Sequence, residues 1–346
     1  MDAKAALGVV AAGRTLTREE AEAAMTSVMS GEATAAQLGA LLAALAVRGE
    51  TLDEIAGFAA AMRAAAVKVT LRNADAIDIV GTGGSRADPF NISTVASIVT
   101  AAAGVPVAKH GNRAASGRCG SADVLEALGV KIDLGPDGVA RCVDEVGIAF
   151  MFAARFHPAM RHAGPVRREM GIRTVFNILG PLANPAGVRR MVVGVASEAI
   201  GEKIARVLGE LGADHVLVVH GADGLDEISP TGPTRTWELR DGDVRAGTID
   251  PAELGVPRAA LADIASGDPA ANAATARAIL AGQRGPGRDA VLLNAAAALG
   301  IAGAATDMRD GLAAAAQAID SGAAAERLAR FVVTSQRLGA ADGSPA

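Results

Sequence analysis

The fold of this chain is decided by residues 77–94, which read IDIVGTGGSRADPFNIST. An apolar, β-branched run stops at a glycine-rich turn, and Ser93-Thr94 then opens a helical run that extends to Ala103. A strand, a glycine loop and a helix start direct backbone N–H groups and the positive end of the helix dipole at one point, which suits an anion. Glycine serves there because a Cβ would keep the backbone away from a phosphate. The spacing matches neither the Walker loop nor the dinucleotide fingerprint, and taken alone the loop also fits an ordinary tight turn.

Composition narrows the class of protein. The 346 residues are 50% hydrophobic but only 2% aromatic, with no tyrosine, so alanine and glycine fill much of the interior. The net charge of −5 argues against nucleic acid as a partner. Two cysteines suggest neither a disulfide framework nor a zinc site. With no signal peptide and no apolar segment long enough to span a membrane, we expect a soluble, cytoplasmic protein.

Residues 1 to about 72 are predicted to form helices only. Thr17 with Glu20, and Thr51 with Glu54, each fit a capping box, in which hydroxyl and carboxylate satisfy free amide donors at a helix start. Two glycines are expected to end the first two helices, Gly31 and Gly49. Four leucines recur at helical spacing: Leu38, Leu41, Leu42 and Leu45. This apolar face is expected to cover either the neighbouring domain or a second subunit.

From about residue 74 the pattern alternates between strand, loop and helix. Strands are predicted near 76–80, 105–108, 148–153, 191–196 and 215–219. Continuous apolar strands separated by helices predict a mainly parallel sheet covered on both faces, with the chemistry beyond the carboxyl ends of the strands. A hairpin is predicted over 232–250, and alanine-rich helices from 270, with 340–346 frayed.

The segment 156–190 departs from this alternation. It is basic and punctuated by proline and glycine, so we expect it to leave the sheet, pack beside the N-terminal helices and return. The predicted fold class is therefore α/β, with a small helical domain (1–72, joined by about 164–188) and a larger α/β domain (73–163 and 189–346).

Three further stretches carry side chains suited to chemistry. Residues 109–123, KHGNRAASGRCGSAD, place cations among small residues after the second strand, which suits a phosphate-rich ligand or a solvated basic turn. Residues 220–229, HGADGLDEIS, place adjacent carboxylates in a glycine-bearing loop, which suits Mg²⁺ or a surface turn; His220 is expected to be a satisfied strand-end histidine. Arg167-Arg168 can bind a carboxylate in bidentate fashion, although exposed loop arginines are common.

Five motifs together resemble the anthranilate phosphoribosyltransferase family. They are the GTGG loop, the NIST helix start, KHGNRAAS, the segment 157–185 (HPAMRHAGPVRREMGIRTVFNILGPLANP) and DGLDE. They agree in content, order and spacing, and the resemblance covers nearly the whole chain. It implies a nucleoside phosphorylase/phosphoribosyltransferase-like fold, a homodimer formed through the helical part, and a role in tryptophan biosynthesis. The implied reaction joins anthranilate to the ribose of 5-phosphoribosyl 1-diphosphate with Mg²⁺ and releases pyrophosphate.

The resemblance also assigns site residues. Those implied to bind the diphosphate donor are Gly81, Gly84, Ser85, Pro89, Asn91, Ile92, Ser93, Thr94, Lys109, His110, Gly111, Asn112, Arg113, Ala114, Ala115, Ser116, Gly117 and Ser121. Those implied to contact anthranilate are Gly81, His110, Asn112 and Arg167, with Arg167 on the carboxylate. The implied magnesium ligands are Ser93, Asp226 and Glu227.

The reaction so implied needs little from acid–base groups. An arylamine is a weak nucleophile, so the enzyme must make C1 of the ribose electrophilic by helping pyrophosphate to leave. We expect an oxocarbenium-like transition state, stabilised by magnesium, Lys109 and loop amides, with domain closure excluding water. No strong base is expected, and no side chain is assigned a catalytic proton transfer.

Three positions inside the donor site depart from the family pattern. The family usually has Asp where this chain has Ser85, Thr where it has Pro89, and Ser where it has Gly117. These changes remove a carboxylate, an N–H and a hydroxyl, each worth about 1.5–3 kcal/mol where a charge-assisted hydrogen bond is lost. We expect an active enzyme with weakened donor binding or altered magnesium dependence, for which Ser85, Arg86 and Asp88 can compensate and Arg118 adds a nearby cation.

Two other functional classes remain open from the sequence. One is a nucleoside phosphorylase on the same kind of fold, against which Arg167 and the KHGN motif argue. The other is a non-catalytic relative that binds nucleic acid or protein. The acidic balance and the presence of Lys109, Asp226 and Glu227 argue against it, whereas Ser85, Pro89 and Gly117 leave it open.

Overall fold

A computed structural model describes residues 1–85, 88–114 and 117–341 of the chain. Two residues implied to bind the donor, Ala115 and Ser116, lie outside the described residues. So do Arg86, named above as a possible compensating cation, and residues 342–346, most of the tail expected to be frayed.

A seven-stranded sheet is the centre of the described part of the chain. Its strands are β1 (Ile77–Gly81), β2 (Val107–Gly111), β3 (Ile148–Phe152), β4 (Arg190–Gly194), β5 (His215–Gly221), β6 (Thr234–Arg240) and β7 (Asp243–Ile249). Their order across the sheet is β3-β2-β1-β4-β5-β6-β7. The pairs from β3 to β5 are parallel, and β6 and β7 continue the sheet as an antiparallel hairpin. The carboxyl ends of β1, β2, β4 and β5 therefore meet at one edge.

Four helices precede the sheet. They are α1 (Ala3–Ala11), α2 (Arg18–Met29), α3 (Ala35–Arg48) and α4 (Leu52–Ala65). The capping boxes predicted at Thr17 and Thr51 are confirmed, and a third begins α3 at Thr34. The glycines at 31 and 49 do follow helices, but these are the second and third helices. The sequence prediction overlooked α1, whose start is capped by Asp2.

The leucine face of α3 is covered within the chain. Its four leucines are between 0% and 3% exposed. The helix packs against α1 and against α9 (Gly164–Met170) from the segment that interrupts the alternating pattern. Because α1 and α9 both lie in the part of the chain expected to form the helical domain, the leucine face is buried within that part itself, and neither of the two predicted partners is needed to bury it.

Helices cover the sheet and complete the fold. Those that follow β1 to β4 are α5 (Ile92–Ala102), α6 (Ser121–Ala127), α7 (Pro136–Val146), α8 (Ala153–Phe156), α9, α10 (Phe176–Leu182) and α11 (Gly201–Glu210). The C-terminal helices are α12 (Pro269–Leu280), α13 (Pro286–Ala302), α14 (Met308–Asp320) and α15 (Ala323–Ala341). A small helical N-terminal unit beside a larger α/β unit with a mainly parallel sheet confirms the predicted fold class. No helix among the described residues is both long and apolar enough to cross a membrane.

The predicted strands are confirmed with shifted bounds. The largest shift is in β2, which begins two residues later than predicted and includes Lys109 and His110. The hairpin turns at Asp241 and Gly242, whose φ angles of 54° and 83° suit a tight two-residue turn between antiparallel strands. Placing Lys109 inside a strand matters for function, because it fixes the side chain in the interior near the carboxyl end of the sheet.

Candidate active site

The first glycine loop is packed directly against the loop that follows β5. A Cβ added to Gly81 would lie 2.4 Å from Oδ2 of Asp226. The same carboxylate oxygen accepts a hydrogen bond of 2.8 Å from the N–H of Gly83. Gly83 and Gly84 have φ angles of 65° and 79°, in the left-handed region that favours glycine. The Asp226 carboxylate therefore leaves no room for a side chain at position 81, whether or not a ligand is bound.

The two predicted carboxylates, Asp226 and Glu227, lie at the same edge of the sheet. A Cβ on Gly194, at the end of β4, would lie 1.6 Å from the carbonyl oxygen of Asp226, so the loop crosses the sheet edge in close contact. Burial raises the pKa of Asp226, although the Gly83 N–H opposes the rise. Burial and the adjacent Asp226 charge raise the pKa of Glu227 well above its usual range. Oε2 of Glu227 is buried and has no hydrogen-bond partner among the described residues.

Lys109 places a buried cation beside these carboxylates. The residue is 3% exposed, and its Nζ donates to the carbonyl oxygen of Ile79 and, at 3.4 Å, to Oγ of Ser93. Burial lowers its pKa, while the charges of Asp78 and Glu227 oppose that shift. Within the described residues it forms no ion pair of 4.0 Å or less. A buried ammonium group without a paired anion is prepared to meet the charge of an anionic ligand.

The donor set fits magnesium. The described residues contain no cluster of three or more His, Cys, Asp or Glu side chains suited to a metal. Magnesium, however, is commonly held by one or two carboxylates together with substrate phosphates and water. The unpartnered oxygen of Glu227, the carboxylate of Asp226 and the hydroxyl of Ser93 are hard oxygen donors of the required kind.

The second loop, between β2 and α6, is organised by a carboxylate that sequence reasoning missed. Oδ2 of Asp123 accepts hydrogen bonds from the N–H groups of Ala114 (3.0 Å) and Gly120 (2.9 Å). The guanidinium of Arg113 pairs with Asp123 and with Glu126. Arg113 was implied to bind the donor, but its side chain is engaged by these two acids.

Asn112 and Ser121, two more residues implied to bind the diphosphate donor, contact each other. Oγ of Ser121 donates to the carbonyl oxygen of Asn112 at 3.2 Å. A Cβ on Gly111 would lie 2.3 Å from that hydroxyl, so glycine is needed for the loop to fold back onto the start of α6. The amide oxygen of Asn112 caps the N–H of Arg113 at 2.8 Å.

The two loops are tied together at their tips. Nδ2 of Asn91 donates to the carbonyl oxygen of Cys119 at 3.0 Å, and Oδ1 of Asn91 accepts from Asn272 at 3.0 Å. Both polar atoms of the Asn91 side chain, which was implied to bind the diphosphate donor, therefore bind protein groups. A Cβ on Gly117 would lie 2.9 Å from Oδ1 of Asp88, which leaves little room for the family's usual serine in this loop conformation.

The remaining residues of the first loop lie beside the segment before α12. Pro89 forms an isolated bridge with Ala265, and the N–H of Phe90 donates to the carbonyl oxygen of Ile264 at 2.9 Å. At the start of α5, Ile92 is fully buried in the core, and Oγ1 of Thr94 is buried without a hydrogen-bond partner among the described residues. Thr94 therefore carries an unsatisfied hydroxyl at the start of α5, whereas Ile92 positions the helix by packing.

A pair of buried histidines lies where β2 meets α10. The rings of His110 and His157 are 5.0 Å apart, and Nδ1 of His110 donates to the carbonyl oxygen of Gly180 at 3.3 Å. Burial lowers the pKa of His110 to about 3 and that of His157 to about 4, so both are neutral near pH 7. Nε2 of each ring is buried without a partner among the described residues.

Arg167 is connected to this pair through α10. Its guanidinium lies over the ring of Phe176, 5.2 Å from the centroid, and burial lowers its pKa. Within the described residues it forms no ion pair. The neighbouring Arg168 is exposed. The structure therefore separates the adjacent arginines into one half-buried, stacked cation and one solvated cation.

Asp78 supports the site from within β1 and was not singled out from the sequence. It is 0% exposed and accepts hydrogen bonds from the N–H of His110 (3.3 Å) and from Nδ2 of Asn184 (2.8 Å). Burial raises its pKa to about 6, which the charge of Lys109 opposes. A carboxylate inside an apolar strand was the available signal, because such a group is retained only with partners.

His220 and the two cysteines complete the list of candidate reactive side chains near this edge of the sheet and in the core. His220 is a satisfied strand-end histidine, as predicted, because its Nδ1 donates to the carbonyl oxygen of Val195 at 2.8 Å. Burial raises the pKa of Cys119 to about 11 and that of Cys142 to about 12, so neither is an activated nucleophile. The arrangement therefore suits binding of a polyanion with a divalent cation, and the chemistry of leaving-group stabilisation.

The matching family models agree with this division of the chain. The model for the helical bundle domain of a glycosyl transferase family matches residues 4–66, and the model for its a/b domain matches residues 73–325. Fold and site together define a glycosyl transferase.

Sequence and structure comparisons identify the family more closely. The chain is 54% identical over 335 residues to the anthranilate phosphoribosyltransferase of Rhodopseudomonas palustris (strain BisA53), covering 97% of this chain and 98% of that protein. It is 56% identical over 337 residues to that of Thermomicrobium roseum, covering 96% and 97%. The crystal structure of anthranilate phosphoribosyltransferase from Thermus thermophilus superposes with a TM-score of 0.91 at 45% identity, covering 97% of this chain and 100% of that one. The chain belongs to the anthranilate phosphoribosyltransferase family.

A more distant relative was solved with ligands. The Saccharomyces cerevisiae anthranilate phosphoribosyltransferase in complex with PRPP and Mg has a TM-score of 0.89 at 26% identity, covering 96% of this chain and 97% of that one. These similarities favour the phosphoribosyltransferase interpretation over the nucleoside phosphorylase and the non-catalytic binding protein.

Proposed function

We propose that this protein transfers the phosphoribosyl group of 5-phosphoribosyl 1-diphosphate to anthranilate, giving N-(5-phosphoribosyl)anthranilate and pyrophosphate in tryptophan biosynthesis. One observation carries the proposal. A buried lysine without an ion pair, Lys109, lies beside Ser93 and near a carboxylate oxygen of Glu227 that lacks a partner, at the carboxyl end of a parallel sheet. A diphosphate with its magnesium supplies the missing partner of each.

The donor is proposed to bind between the glycine loop that follows β1 and the loop between β2 and α6. Gly84 and the start of α5 are proposed to present backbone and hydroxyl groups on one side, and the loop after β2 lies opposite. The direct contacts best supported by burial and free polar atoms are Lys109, Ser93 and Thr94. For Asn91 and Arg113, whose side chains bind protein groups, we propose that they shape the loops.

Catalysis is proposed to act on the leaving group. As the bond from C1 of the ribose to the diphosphate lengthens, negative charge grows on pyrophosphate, and the ammonium of Lys109 stabilises it in a site of low polarity. Magnesium, when bound by Ser93, Asp226 and Glu227, would add a divalent positive charge at the diphosphate. The chain's own groups bind and orient the donor, and the domains exclude water that would hydrolyse the activated ribose.

The acceptor is proposed to bind against α10, with its carboxylate on Arg167. Contact with the Phe176 ring fixes the position of the planar guanidinium and partly desolvates it, which strengthens a bidentate contact with a carboxylate. The neutral His110 and His157 offer unpartnered Nε2 atoms to which an arylamine N–H can donate. Gly81 and Asn112 remain proposed contacts at the boundary with the donor.

The domain division, assembly and location are also proposed. We assign the segment 164–188 to the helical domain, supported by packing of α9 on α3 and of α10 on α4. We propose a homodimer through the helical domain, supported by an exposed apolar side chain on α3, Val47, which is 90% exposed. A biosynthetic enzyme of this family is proposed to work in the cytoplasm.

The experiment that tests this function follows the loss of anthranilate fluorescence with 5-phosphoribosyl 1-diphosphate and a magnesium series. We expect consumption that requires both donor and magnesium. Arg167→Ala should raise the anthranilate KM at least about tenfold, since a charge-assisted contact is lost, while Arg168→Ala should leave it unchanged. Folded protein that consumes no anthranilate at any magnesium concentration would refute the proposal.

A further inference from the structure

Arg173 connects the acceptor side of the molecule to the first glycine loop. It lies in the turn between α9 and α10, and its Nη1 donates to the carbonyl oxygen of Gly83 at 2.9 Å. The backbone N–H of Gly83 donates to Oδ2 of Asp226 at 2.8 Å. Gly83 is therefore held at both its polar backbone groups, by two side chains that come from distant parts of the chain.

The guanidinium also occupies the space beside Gly84. A Cβ on Gly84 would lie 1.5 Å from Nη1 of Arg173, and the φ angle of 79° independently favours glycine. The third glycine of the GTGG motif thus accommodates Arg173 as well as a bent backbone. Any side chain at this position would displace the arginine from the loop.

Arg173 contributes a positive charge that is not already paired. In the described part of the chain it forms no ion pair of 4.0 Å or less, and the residue is exposed. Its charge lowers the pKa of Asp226 against the effect of burial. The position after Gly84 holds Ser85, where the family usually has Asp, so this chain places no carboxylate there to draw Arg173 off the carbonyl of Gly83.

We propose that Arg173 is a positioning residue for the diphosphate donor: it fixes the Gly83–Gly84 loop from the helical segment that also carries Arg167. The loop backbone is then correctly oriented toward the diphosphate only while the α9–α10 segment is seated against the sheet. This inference rests on the proposed function, and it adds a residue to the donor site that acts through the loop backbone.

The test measures binding of inorganic pyrophosphate and of 5-phosphoribosyl 1-diphosphate, each with magnesium, by isothermal titration calorimetry. We compare the native protein with Arg173→Ala, Arg173→Lys and the exposed control Arg168→Ala, and check folding by circular dichroism. Arg173→Ala should weaken binding of both ligands about tenfold, the effect of one charge-assisted hydrogen bond. Arg173→Lys should recover about half of the loss on a logarithmic scale, because it keeps the charge but not the planar donor. Arg168→Ala should bind like the native protein.

Steady-state kinetics separate a positioning role from general loosening of the fold. Arg173→Ala should raise the KM of the donor about tenfold, while the KM of anthranilate and the melting temperature stay unchanged. Unchanged donor affinity in folded Arg173→Ala would overturn the inference and leave the proposed function standing. Native protein that binds neither ligand would overturn both. Equal losses for donor and anthranilate would show a structural role and also overturn the inference.

Discussion

Replacing Gly81 by alanine tests whether the carboxylate of Asp226 organises the donor loop. The new Cβ would lie 2.4 Å from Oδ2 and 3.1 Å from Cγ of Asp226, so the carboxylate must move. Moving it breaks the 2.8 Å hydrogen bond from the N–H of Gly83. The φ angle of Gly81 is not in the left-handed region, so alanine itself is not strained there.

The magnitude follows from the bond that is lost. A hydrogen bond to a charged group contributes about 1.5–3 kcal/mol, so the Kd of 5-phosphoribosyl 1-diphosphate with magnesium should rise about 10- to 150-fold. Calorimetric titration measures this change directly. Gly300→Ala is the matched control: it lies in α13 with no atom within 4 Å of an added Cβ, and should leave donor binding unchanged.

Two results would refute the reasoning. Donor affinity within twofold of the native value in folded Gly81→Ala would mean that the contact between this glycine and Asp226 does not organise the loop. An equal loss in Gly300→Ala would mean that the effect is not local. The expected stability of Gly300→Ala is slightly higher than native, by about 0.5–1 kcal/mol, because alanine is favoured over glycine inside a helix.

Three further predictions concern charge in the site. Lys109→Met should weaken donor binding by about 2 kcal/mol or more in a calorimetric titration. It should not lower the free energy of unfolding, because an unpaired buried cation costs stability. A large loss of folding stability would contradict this expectation. Burial lowers the pKa of His110 to about 3 and that of His157 to about 4 in the folded protein. Below pH 6.5 these histidines therefore bind more protons in the unfolded state than in the folded state. Each should lower the free energy of unfolding by about 1.4 kcal/mol per pH unit as the pH falls from 6.5 toward 4. Denaturant unfolding between pH 7 and pH 5 should therefore show a smaller loss of the free energy of unfolding in His157→Gln than in the native protein. Asp78, with a pKa raised to about 6, acts in the opposite direction in both proteins. Equal slopes against pH would show that His157 is not buried and neutral. Ser85→Asp should restore a carboxylate and change the donor KM or the magnesium optimum in steady-state assays, and if neither changes, the departure at this position has no effect on donor binding.

Sequence reasoning located the loops because each depends on local information. A glycine cluster after an apolar run marks the end of a strand, and the strand order of a parallel sheet brings such ends together. That is why Gly81, Lys109 and Asp226 could be grouped although they are far apart in the chain. The bounds of the strands and helices were predicted less well. β2 begins two residues later than predicted, and α1 was not predicted at all.

The supporting side chains could not be found in this way. Asn184 bonds to Asp78 across 106 residues, and Arg173 to Gly83 across 90. Nothing in the neighbourhood of either partner specifies such a pair, because it depends on how the helical segment sits on the sheet. The close contact of Asp226 with Gly81 likewise emerges only from the three-dimensional path of the loop.

The most direct test of the central claim is the stoichiometry of the reaction. The claim is that a donor site with Ser85, Pro89 and Gly117 in place of the family's usual residues still directs the ribose to an arylamine and away from water. We would measure pyrophosphate release and anthranilate consumption in the same sample, with and without anthranilate. We expect one pyrophosphate per anthranilate consumed, and almost none when anthranilate is absent. Pyrophosphate released without anthranilate, or no release from folded protein with both substrates and magnesium, would contradict it.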